Sequence, residues 1–111
     1  MSREEILKMS AGRKMRELVA AQVMGWDETY VRSIEAWHPD ENMTDACLVL
    51  SELAKEPFSW HIESANLTDG RVIWWVCLWG DMPDRSVAEF STEAESIPLA
   101  ICRVALLARQ K

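Results

Sequence analysis

Apolar positions predict helices within residues 3–24 and 45–55, extended strands between 59 and 90, and a closing helix after Ser96. Ile6 and Met9 stand three apart within residues 3–10 and predict a short amphipathic helix. Gly12 interrupts it. A second helix is expected from about Arg13 to Met24, with Met15, Leu18, Val19, Gln22 and Val23 as its inward stripe. Gly25 closes that helix and lets Trp26 fold back onto the last turn. Residues 27–42 show no period and read as a long loop. A third helix, about Asp45 to Lys55, takes Thr44 as its N-cap, with Cys47, Leu48, Leu50, Ser51 and Ala54 near one side. Pro57 stops it.

The alternating stretch opens at Ser59 to Ala65, where Trp60, Ile62 and Ser64 face one way and His61, Glu63 and Ala65 the other. Asn66 to Gly70 is a hairpin turn, signalled by Asp69-Gly70. Arg71 to Trp79 is apolar on both faces. Val72, Trp74, Val76 and Leu78 line one, and Ile73, Trp75, Cys77 and Trp79 the other. A strand like that is normally covered on both sides. A turn at Gly80 to Asp84 leads to a shorter strand, Arg85 to Phe90. In the closing helix Ser96 is the expected N-cap and Pro98 sits in the first turn. Glu93 and Glu95 lie at its positive end, and Arg109 and Lys111 at its negative end. Only Arg103 is charged in between, so most of its circumference must be covered.

This order predicts an α+β fold, an α-β-α sandwich with a three-stranded antiparallel meander sheet flanked by helices. One face of the sheet takes the closing helix and the Asp45–Lys55 helix. The other takes the N-terminal helices or a second copy of the chain, and the pattern does not choose. The length suits a single domain over residues 1–111, with 1–12 as a mobile N-terminal helix and 13–111 as the sandwich core.

Eighteen acidic against twelve basic residues leave a net charge of −6, which argues against nucleic acid or an anionic membrane as partner. The basic residues cluster only between Arg3 and Arg16, where acids are interleaved. The longest apolar run falls far short of the roughly 20 residues that cross a bilayer. Met1 to Glu5 is charged and leads into no signal segment, so a cytoplasmic location is expected. Cys47, Cys77 and Cys102 each sit among apolar residues and read as buried free thiols in a reducing compartment.

Candidate chemistry is sparse. Trp74 is expected in the core. Trp75 and Trp79 would centre a dimer interface if their face of the sheet is uncovered, and Trp26 and Trp37 border the long loop and are expected to be partly exposed. Trp26, Trp37, Trp75 and Trp79 are therefore the candidate interface or ligand surface. His38, Asp40, Glu41 and Asp45 lack the spacing of a metal site and read as a solvated acidic loop. His61 reads as a partly buried structural histidine. No nucleophile elbow, glycine-rich phosphate loop or charge-flanked cysteine is present in the sequence, so no catalytic residue, metal or cofactor is assigned and an enzyme is not expected.

Two blocks carry a family resemblance: Met15-Arg16-Glu17-Leu18-Val19-Ala20-Ala21-Gln22-Val23-Met24-Gly25-Trp26 and Ile97-Pro98-Leu99-Ala100-Ile101-Cys102-Arg103-Val104-Ala105-Leu106-Leu107. In this order over roughly residues 13–108, the chain resembles the phage ABA sandwich domain, a family of small phage and prophage proteins. Thr44-Asp45 matches its middle motif, with Asn42-Met43 in place of the first two residues. The resemblance implies an α-β-α sandwich expressed inside a bacterial host cell and brings no established reaction. The order from residue 44 onward is also similar to that of double-stranded-RNA-binding domains. Glu93-Ala94-Glu95-Ser96, however, puts the wrong charge at the start of the last helix. The reading that follows is a small accessory protein that binds a host or phage protein, or itself as a homodimer. The second reading is a nucleotide-type small-molecule binder, stacking on Trp26, Trp37 or Trp79 and holding phosphate with Arg32, Arg71 or Arg85.

Overall fold

A computed structural model describes residues 2–27, 29–30, 36–55, 59–81 and 87–109. Among them the elements run α1 (Arg3–Lys8), α2 (Arg13–Gln22), α3 (Met43–Leu53), β1 (Ser59–Asn66), β2 (Val72–Asp81), β3 (Val87–Ala94) and α4 (Ile97–Arg109). The strands form an antiparallel meander with β2 in the centre. The fold is α+β, a three-stranded antiparallel sheet packed with helices.

Ser96 caps α4 as its sequence predicts, accepting from the Leu99 N–H at 3.4 Å. Pro98 follows in the first turn, where its missing donor costs nothing. From Leu99 to Leu107 every residue except Arg103 is buried, because α4 lies on β2 and β3 and also receives α1, α2 and α3. Each aliphatic side chain buried in this way contributes about 1.5–3 kcal/mol. The sheet meets α4 with the inner rows Ile62–Val76–Thr92 and Trp60–Leu78–Phe90, whose centres Val76 and Leu78 are fully buried. Trp74 is half-buried on this inner face and stands outside the core cluster expected to hold it.

The N-terminal helices dock on α4 rather than on the far side of the sheet. Ile6 of α1 is buried in the core cluster. Arg103 of α4 donates to the Met9 carbonyl from Nε at 3.1 Å and Nη2 at 3.0 Å, and to the Glu93 carbonyl from Nη1 at 2.8 Å. One side chain thereby ties the end of α1, the end of β3 and α4 together. Burial lowers the Arg103 pKa from its ordinary value, and Glu95 and Glu93 oppose that shift.

Several local expectations are corrected. Asn42, not Thr44, caps α3, its Oδ1 accepting from the Asp45 N–H at 3.0 Å. The buried stripe of α3 is Ala46, Val49, Leu50 and Leu53. That set keeps i, i+3, i+4, i+7 spacing, whereas Cys47, Leu48, Ser51 and Ala54 point outward, Leu48 at 48% exposure. Cys47 is therefore exposed, and only Cys77 and Cys102 are buried. Strand β3 runs on to Ala94 instead of ending at Phe90, since β2 offers backbone partners as far back as Trp74. Glu93 is accordingly a strand residue. Helix α2 ends at Gln22, Gly25 takes φ 71° beyond it, and Trp26 folds back to donate to the Ala20 carbonyl at 2.9 Å.

Asp40 departs most from its expected role. Read as part of a solvated loop, it is buried, accepting from the Gly12 N–H at 2.6 Å and pairing with Arg16 Nε at 2.9 Å. Gly12 has no side chain to cap α2, and the Asp40 carboxylate, 28 residues away, accepts instead from the Gly12 N–H, one of the free donors at that helix's start. Pro57, the turn residues Met82–Asp84, Arg32, Arg85 and Lys111 lie outside the described residues.

Candidate functional site

The antiparallel register builds the outer face of the sheet from cross-strand rows. Trp75 stands between Glu63 and Glu93, Cys77 between His61 and Ser91, and Trp79 beside Ser59. Each row has a large or apolar centre with polar neighbours. Trp75 and Trp79 are 36% and 41% exposed, two large aromatics on the face opposite the fully buried Val76 and Leu78. Cys77 between them is buried. His61 Nε2 lies 2.6 Å from Glu63 Oε1, and its ring meets Trp75 edge-on at 6.5 Å between centroids.

A cavity of about 320 Å³ opens beside Trp75, bounded by Ser91, Thr92 and Glu93 of β3, Leu7 of α1 and Arg103 of α4. A smaller one of about 180 Å³ shares Glu93 and Arg103 and reaches Ile73 and Arg71. Arg103 is held there by the two carbonyls it serves, so it acts as a wall. Arg71 is occupied by Asp69 at 2.7 Å.

The other two candidate tryptophans lie on the helical side. Trp26 meets Tyr30 edge-on at 5.1 Å and Trp37 at 4.7 Å. Trp37 is only 6% exposed and belongs to the core cluster, which corrects its expected exposure, while Trp26 packs partly buried against it. The structure thus brings Trp26 to Trp37 and sets Trp75 and Trp79 on the sheet's opposite face.

The acidic loop is internally committed. His38 N–H donates to Asp45 Oδ2 at 3.0 Å, Asp40 holds Gly12 and Arg16, and Glu41 reaches Arg16 Nη2 at 3.3 Å. Among the described residues no three His, Cys, Asp or Glu side chains converge as a metal site would require. His61, expected to be partly buried, is exposed. Burial pushes the Cys102 thiol well above its ordinary range, with a further push from the charge of Asp40.

A family model described as the phage ABA sandwich domain matches residues 17–106. The chain belongs to that family. No curated protein and no solved structure gives a significant match. The phage ABA sandwich domain here runs from within α2 to within α4, taking in the whole sheet and its outer face, and begins after α1. No helix among the described residues is long and apolar enough to cross a membrane.

Glu63 and Glu93 are the site residues that reading the sequence missed. Alternation already placed Glu63 on the same face as His61. Glu93 became visible only with the longer β3.

Proposed function

We propose that this phage ABA sandwich protein is an accessory protein of the bacterial host cytoplasm that acts by contact with another protein or with itself, and not by catalysis. The outer face of the sheet is the contact surface, with Trp75 and Trp79 as its anchors. One observation carries this reading: two half-exposed tryptophans share one face of a central strand and are flanked by polar residues. Exposed aromatics of this size are costly to leave in water and recur as anchors of protein interfaces.

The nucleotide-binding reading draws less support. Trp37 is buried, Arg71 is paired with Asp69, and acidic Glu93 and Glu95 border the cavities. The test is an affinity pull-down of the tagged chain from phage-infected bacterial lysate, run beside Trp75→Ala and Trp79→Ala, with sedimentation of the purified chain. A retained protein, or a dimer, that is lost in both folded variants supports the reading. A strictly monomeric chain whose retained proteins are indifferent to both variants overturns it.

A further inference from the structure

The charges around Trp75 say more than its exposure does. In the antiparallel register Glu63 and Glu93 are the direct cross-strand neighbours of Trp75, one on each side. Directly opposite side chains in such rows lie about 4.5–5.5 Å apart at Cβ. Among the described residues Glu63 is engaged by His61 alone, its sequence neighbour two residues away, at 2.6 Å. Glu93 forms no salt bridge or side-chain hydrogen bond among the described residues, although its charge acts on Arg103, which lines the same cavity and donates to the Glu93 carbonyl. An aromatic face between two carboxylates attracts a cation twice over, through the ring quadrupole and through charge. The cavity of about 320 Å³ beside Trp75 gives the stem of a long side chain somewhere to lie, against Leu7, Thr92 and the indole.

We infer that the outer face docks a basic segment of another protein, one of whose arginine or lysine side chains sits over Trp75 between Glu63 and Glu93. This rests on the interaction reading above and narrows it to a cationic partner. A second copy of the chain fits poorly, because a twofold contact through this face brings Glu63 and Glu93 towards their own images, in a chain of net charge −6. Nucleic acid is repelled by the same carboxylates.

The test uses the full chain and two synthetic probes, an alternating arginine–serine peptide and its glutamate–serine counterpart, titrated at low and at physiological ionic strength. The arginine peptide is expected to bind and the glutamate peptide not, with affinity falling as salt rises. Glu63→Gln with Glu93→Gln, and separately Trp75→Leu, are each expected to weaken the arginine peptide by about three- to tenfold. Glu17→Gln with Glu41→Gln removes the same charge from the helical side and is expected to leave affinity unchanged.

Equal weakening by both glutamine pairs makes the attraction a matter of net charge and overturns the inference. No binding of the arginine peptide overturns it too, and leaves the broader reading standing if a lysate protein is still lost with Trp75→Ala. A dimer in sedimentation that Trp75→Leu dissolves also overturns it, and places a second copy on the face.

Discussion

Leu78 and Trp79 are neighbours in sequence, both large and apolar, and they face opposite sides of β2. Leu78 is fully buried under α4, while Trp79 keeps 41% of its surface in water. The rows they belong to explain the difference. The inner rows Trp60–Leu78–Phe90 and Ile62–Val76–Thr92 are mostly apolar, and the apolar closing helix covers their centres while Trp60, on β1, keeps 42% of its surface exposed. On the outer face the large apolar side chains stand on the central strand, and Trp75 and Cys77 are flanked by Glu63, His61, Ser91 and Glu93. That is how an interface with a polar rim is composed, not the interior of a domain. An apolar strand therefore reports a demand for cover, and its neighbours across the sheet tell whether the chain itself supplies it.

The largest effect expected is on the inner face. Leu78→Ala removes a buried side chain between sheet and α4 and should cost about 2–5 kcal/mol in urea unfolding. An equal loss from Trp79→Ala would break the contrast between the faces. Asp40→Ala comes next, at about 3 kcal/mol, because it strips the buried partner from Arg16 and from the Gly12 N–H. Glu41→Ala, which removes only an exposed partner of the same arginine, should cost less than about 1 kcal/mol.

Cys102 sharpens the same contrast through pH. Its thiol is buried beside α4's other core residues, and burial raises its pKa above that of the unfolded chain. The neutral thiol is thus favoured in the folded state. Its contribution is whole below the ordinary thiol pKa of about 8.5 and is lost as pH rises beyond it towards the folded value. Stability should fall with a component of about 1.4 kcal/mol per pH unit above that point, and Cys102→Ala should abolish that component in unfolding titrations.

The closing helix was legible because its signals are local: a serine cap, a first-turn proline and an apolar run broken by a single arginine, Arg103. The strands were legible from alternation and the Asp69-Gly70 turn, down to which side chains share a face. Asp40 was not, because the groups that bury it, Gly12 and Arg16, lie at least 24 residues away and leave no periodic trace. The face of α3 was misjudged since that helix has apolar or small residues nearly all round, so spacing alone offered two stripes. For the candidate site, Trp75 and Trp79 followed from the strand pattern. Trp37 was misplaced because its partner Trp26 comes from across a loop, and Glu93 because the length of β3 is set by β2.

The smallest expected change in stability tests the outer face most directly. Trp75→Ala or Trp79→Ala removes half-exposed surface and cross-strand contact, and each should cost about 1 kcal/mol, well below Leu78→Ala. Yet Cys77 is buried on that same face between the two indoles. Removing either ring should open it to water without loosening the core. A thiol reagent at neutral pH should therefore modify Cys77 several-fold faster in these variants, with Cys102 still protected and Cys47, already exposed, unchanged. If Cys77 and Cys102 instead become reactive together, the outer tryptophans support the core itself. The two faces would then be one cooperative unit, and the aromatic seam would need no partner to explain it.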